Sequence, residues 1–358
     1  MRMTRQNTIW AAVAVALSLT ACMKAVEGPD EVQSQPENRK VSFDVSVTRG
    51  AQASQQTKSS YDVGESELKM NPGVPFGLVG IDMNTHSLLV NNLPVSGSNG
   101  GAYSAYLANG LWEIPTPITF SAYYPYMKDI QYGNAYESYS LSYTTQETEA
   151  GPLVSKTVQR AVDQINRIPL EFQHITNDIG YKICDATQDP QLQGLIHLRK
   201  VTATYVARAG VFVNDVAVSQ GHWNRQGYYC DMVVFEGDAK LGVGPENELF
   251  IGKDQLVDKK SDSFRYYSIP DEIQMGKQTV EVVYDVDSFT VGGFTYPPMQ
   301  GVTSRYSLYG LLPDNVFLYG KQYTFHLGMD LSKVYEAVVF SASVNDWQTM
   351  IYEDNEDF

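Results

Sequence analysis

The chain has 358 residues, a formal charge of −15, 24 tyrosines and 14 phenylalanines. With abundant Val, Thr and Ser, that mixture favours strands over helices. The acidic balance excludes nucleic acid as a partner and electrostatic adhesion to anionic lipid, and the length suits two β domains better than one core.

At the N-terminus, Arg2 and Arg5 precede an apolar run, Thr8 to Leu19, too short to span a bilayer with margin. Leu19-Thr20-Ala21-Cys22 follows and resembles a bacterial lipobox. This predicts a signal peptide over residues 1–21 and lipidation at Cys22, where several acyl chains together give stable anchoring. Loss of Arg2 and Arg5 with the leader takes the charge from −15 to −17. No later segment is apolar enough to cross a membrane, so the lipid is the expected anchor.

Residues 22–40 read as a polar, Pro-containing tether. From Val41 the pattern alternates strictly: Val41, Phe43, Val45 and Val47 share one face, and Ser42, Asp44, Ser46 and Thr48 the other. Arg49-Gly50 ends the strand, and a second polar stretch runs to Glu67. One amphipathic strand between two polar tethers must dock in a sheet while its connections stay open to proteases.

From Pro75 the predicted strands are dense: 76–83, 87–95, 103–114, 118–126, 136–144 and 153–156. Asn109-Gly110 predicts a hairpin inside the third. A short helix is expected over Thr157 to Asn166, with a domain boundary near Asn166. The second half continues with strands at 168–174, 180–183, 195–207, 210–218, 227–235, 264–269, 279–286, 305–310, 322–327 and 337–347. Many short strands separated by Gly, Asn, Pro and Asp predict an all-β fold of two Greek-key β-sandwiches, residues 41–166 and 167–358.

Residues able to carry chemistry are few. The five histidines, His86, His174, His197, His222 and His326, show no metal-ligand spacing, and no nucleophile elbow, P-loop or dinucleotide motif occurs. No enzyme, metal or cofactor is therefore predicted. Asp285 and Asp287 share a strand face and read as solvated edge charges rather than a calcium site. Apart from Cys22, only Cys184 and Cys230 remain; export permits a disulfide, and two buried free thiols fit equally well. The stretch His222-Trp223-Asn224-Arg225-Gln226-Gly227-Tyr228-Tyr229 reads as a loop whose aromatic and amide groups would suit a sugar.

Three stretches together resemble the fimbrillin family, the lipoprotein pilins of Bacteroidetes. They are the strand Val41 to Arg49 after the lipobox; Leu170-Glu171-Phe172-Gln173-His174 followed by Phe264 to Pro270 and Thr279 to Tyr284; and Tyr323 to Leu327 with Ala337 to Trp347. The segment between Ala207 and Gly252 matches no pattern of the family. The resemblance implies transthyretin-like sandwiches, lipid-dependent export to the outer membrane and cell surface, and proteolytic removal of the N-terminal strand after a basic residue. It implies assembly into a fimbria with other pilin subunits, a processing protease as partner, and a glycan or protein receptor for an adhesive subunit.

Arg49 is the expected cleavage point, because it ends the alternating strand and opens onto the polar run; Lys58 is the fallback. Removing a docked strand leaves an apolar groove with unpaired backbone groups, which a strand from another subunit can fill. Val41, Phe43, Val45 and Val47 would then be temporary plugs. The alternative is a monomeric surface glycan-binding lipoprotein of the outer membrane, which would keep the segment 41–49.

Overall fold

The computed structural model describes residues 38–47, 73–98, 102–145, 151–332 and 338–346. Alternation of apolar and polar residues writes most of the strands. In Thr279–Val286 every second residue is buried, and in Arg167–His174 the buried set is Ile168, Leu170, Phe172 and His174.

Among the described residues there are twenty-two strands. Those of the first half are β1 (Arg39–Val47), β2 (Phe76–Asp82), β3 (Ser87–Val95), β4 (Tyr103–Leu107), β5 (Ile118–Tyr124), β6 (Gln131–Tyr132), β7 (Ser138–Thr144), β8 (Leu153–Ser155), β9 (Val158–Arg160) and β10 (Arg167–His174). The second half supplies β11 (Asn177–Asp185), β12 (Ile196–Asp215), β13 (Gln220–Lys240), β14 (Leu249–Ile251), β15 (Leu256–Val257), β16 (Arg265–Ser268), β17 (Thr279–Val286), β18 (Phe289–Val291), β19 (Phe294–Tyr296), β20 (Met299–Ser307), β21 (Lys321–Met329) and β22 (Val338–Asp346). The remaining elements are short 3₁₀ turns. The all-β class expected from composition is the class observed.

The first sheet runs β3-β2-β5-β8-β10-β1-β4, with β9 also on β5. Its far edges approach each other, because Gly97 beyond β3 bridges Tyr103 at the start of β4. Its core includes Val41, Phe43, Phe76, Leu78, Leu170 and Phe172. The second sheet runs β15-β14-β11-β21-β22 with β16 on β11, and the third runs β20-β17-β12-β7-β6 with β13 on β12. A large core between these two gathers Tyr181, Leu198, Phe235, Val282 and Phe325. A smaller cluster joins Val79 and Ile81 of β2 to Leu141 of β7 and Phe212 of β12. Two pairings are parallel: β1 with β10, and β11 with β21.

Several local expectations are corrected. Asn109-Gly110 makes no hairpin: β4 stops at Leu107 and a 3₁₀ turn over Asn109–Glu113 buries Leu111. The helix expected at 157–166 is β9 followed by the 3₁₀ turn Val162–Gln164. The strands expected at 195–207 and 210–218 are one continuous β12, with register shifts against β13 and one against β17. Gly210 opens no new strand there; a Cβ on it would lie 3.1 Å from the Trp223 ring and 3.2 Å from the Asn224 carbonyl oxygen, so glycine admits a close crossing. The loop expected at 222–229 belongs to β13, and the Trp223 indole N–H donates to the Ile175 carbonyl at 2.6 Å.

Candidate functional site: the slot that holds β1

β1 is an interior strand. On one side it pairs parallel with β10, Phe43 opposite Ile168 and Val45 opposite Leu170. On the other it pairs antiparallel with β4, Val41 opposite Ala105 and Phe43 opposite Tyr103. The two ladders are staggered: β4 holds residues 39–43 and β10 holds residues 42–47. The Ser42 N–H also donates to the Asn166 carbonyl at 3.1 Å. Strict alternation lets one strand bridge two ladders and still turn a single face to the core.

On that face Val41 is 0% and Phe43 5% exposed, while Val45 is half-buried against the same cluster. Val47 pairs through its backbone with Phe172. Phe43 meets Phe76 edge-on, centroids 5.6 Å apart at 88°, and Phe76 continues to Phe172 at 5.7 Å and Tyr103 at 5.5 Å. The aromatic chain therefore ties β1 to β2, β4 and β10 at once. Full burial of Val41 and Phe43 contributes about 1.5–3 kcal/mol each.

The opposite face is open: Ser42, Asp44 and Ser46 are exposed, and Asp44 pairs with the Arg167 guanidinium. At the leading end the Arg39 guanidinium lies 5.0 Å from the centre of the Trp112 ring. A groove of about 580 Å³ opens beside it, lined among others by Trp112, Glu113, Pro115, Asp163 and Asn166.

The other residues singled out in the sequence lie elsewhere. Cys22 and Arg49 fall outside the described residues. Cys184 and Cys230 are both free thiols, on β11 of the second sheet and β13 of the third. Burial, with Glu248 and Asp185 adding to it, pushes the Cys184 thiol up to about 11. Asp285 accepts from the Gly301 N–H at 2.8 Å and from Arg199 Nε at 2.7 Å, which hold its carboxyl below the usual range. Asp287 faces His197 at 3.2 Å. These carboxylates belong to a charge network across β12 and β17, and among the described residues no cluster could hold a metal ion. His174 is buried, and that burial lowers its imidazole to about 3. The seat for Arg39 escaped sequence reasoning, because only the fold brings Trp112 under it.

A family profile described as fimbrillin-like matches residues 70–347, and the match runs through the segment 207–252 that the resemblance left out. Among solved structures, a fimbrial protein from Bacteroides vulgatus is similar at 13% identity, with 87% of this chain and 100% of that one covered and a TM-score of 0.53. A putative cell adhesion protein from Parabacteroides distasonis is similar at 10% identity, with coverages of 89% and 99% and a TM-score of 0.52. The fimbrial anchor protein Mfa2 from Porphyromonas gingivalis aligns at 10% identity over 88% and 100% of the two chains, with a TM-score of 0.35. No curated protein matches.

Proposed function

Because the chain belongs to the fimbrillin-like family, we propose that it is a non-enzymatic subunit of a cell-surface fimbria, anchored through Cys22 and assembled by replacement of β1. The carrying observation is the position of β1: an interior strand, hydrogen-bonded on both sides, at the N-terminal end of the fold. A single cut after Arg49 severs it from everything downstream. Its departure exposes the Val41 and Phe43 sites and unpairs the facing edges of β4 and β10. A strand from another subunit repairs both deficits together.

The replacing strand must repeat the spacing of the plugs. For domain organisation, β10 goes with the first sheet, since it pairs with β1 and β8, while β6 and β7 of the first half join the third sheet.

The test compares wild type with Arg49→Ala after mild trypsin or the native protease. Wild type is expected to lose the segment up to residue 49 and form SDS-resistant multimers, while the variant stays monomeric. If cleaved wild type stays monomeric, strand replacement is refuted and a monomeric glycan-binding lipoprotein becomes the better reading.

A further inference from the structure

The slot's end at Arg39 is built differently from its middle. Along the middle, Val41, Phe43 and Val45 meet apolar neighbours that any alternating strand could satisfy. At the end, a 3₁₀ turn held down by buried Leu111 presents the ring of Trp112, and the Arg39 guanidinium sits 5.0 Å over it. Glu113 and Asp163 line the same groove as Arg39, so two carboxylates share it with the cation. Asn166 closes the groove toward the strand, its carbonyl accepting from the Ser42 N–H at 3.1 Å.

A cation over an indole, with carboxylates nearby, is an arrangement that an acidic side chain would invert into repulsion. We propose that Trp112, rimmed by Glu113 and Asp163, is a specificity site of the slot: it selects a strand carrying a basic residue two positions ahead of its first buried apolar residue, and rejects one carrying an acidic residue there. The proposal rests on the strand-replacement reading for its partner, a β-strand of another subunit with that leading charge. The seat itself is a property of the single chain.

Position alone supports the selective role. Arg39 is the first residue of β1 and pairs with Leu107, the last residue of β4. A strand sliding by two residues keeps its alternation and its ladders, yet it moves the leading charge off the ring. The seat therefore reads register as well as charge.

Two measurements test it. In the first, full-length chain cut after Arg49 is mixed with labelled peptides of sequence 39–47 bearing Arg, Lys, Ala or Glu at the first position. At low salt, entry is expected to favour Arg over Ala about three- to fivefold, with Lys close to Arg and Glu below Ala. Trp112→Leu should compress the Arg–Ala difference without abolishing entry of the Ala peptide. Equal entry of the Arg and Glu peptides into the wild-type slot overturns the specificity site and leaves strand replacement standing. Entry of none of the peptides overturns both.

The second measurement uses the uncut chain and needs no strand replacement. Hydrogen exchange at residues 40–43 should accelerate in Arg39→Glu, remain near wild type in Arg39→Lys, and recover in Arg39→Glu combined with Glu113→Lys. Unchanged exchange in Arg39→Glu, or acceleration spread equally over β21, refutes the seat.

Discussion

Phe43 is the residue on which the hold of the slot is most sharply tested. Its side chain is 5% exposed and stands edge-on to Phe76, which in turn touches Tyr103 and Phe172. Replacing it by Ala removes a buried aromatic from the β1 end of that chain, a change that costs about 3–5 kcal/mol in packed cores. If β1 leaves without the rest of the sheet unfolding, as strand replacement requires, the loss falls on local opening. At about 1.4 kcal/mol per decade, Phe43→Ala should raise the exchange of β1 amides by roughly two to three and a half orders of magnitude. Ser46→Ala, on the exposed face of the same strand, serves as the control and should change it little. Hydrogen exchange read by mass spectrometry over residues 39–47 and over β21 is the assay. Acceleration below tenfold in β1 would mean that Phe43 is no plug. Equal acceleration in β1 and β21 would mean that the strand opens only with the whole fold, and a removable β1 would be refuted.

Cys230 should react with a thiol reagent in the native protein while Cys184 reacts only on unfolding, because burial raises its thiol to about 11; a Cys184–Cys230 linked peptide in non-reducing mass mapping would contradict this. His174 folds neutral, its imidazole lowered to about 3 from an ordinary 6.5 by burial, so below pH 6.5 the unfolded chain binds a proton that the folded chain does not. The associated stability is complete above pH 6.5 and falls as the pH drops toward 3, by up to about 1.4 kcal/mol per pH unit; urea midpoints from pH 7 to 5 should fall less steeply in His174→Gln, and identical slopes would refute the assignment.

Strand identity was legible wherever the two-residue period was strong. Ser87–Val95 and Thr279–Val286 begin and end where their sequences predict, and the alternation of residues 41–47 fixes in advance which side chains of β1 face inward. Punctuation misled where tertiary contacts outweighed it. Asn109-Gly110 carries a turn signal, but the chain turns there through a 3₁₀ element anchored by Leu111. The break expected between Ala207 and Gly210 is absent, because Arg208 donates to Thr145 and Gly210 lets Trp223 cross, so β12 runs on. The aromatic-rich segment after Ser219 looked like a loop because Asn, Gly and Arg interrupt it; pairing with β12 overrides those local preferences. What the sequence withheld about the slot was its walls, because β4 and β10 come from distant parts of the chain.

That distance bears on how the protein comes to be folded at all. Ser42 pairs with Arg167, 125 positions later, whereas β2 and β3 meet across a turn of a few residues. Closing so long a loop is entropically costly, and pairings of this kind form late and slowly. β1 is made before both of its partners and must wait for β10, so every new chain passes through a period in which the slot for β1 is unfilled. During that period it presents to its neighbours the same vacancy that a processed subunit would, and mispairing between unfinished chains competes with completion. Covalent attachment settles the competition: β1 is tethered to its own slot and reaches it at a high effective concentration. Under strand replacement, the link that would delay assembly after folding is thus also the one that lets folding finish.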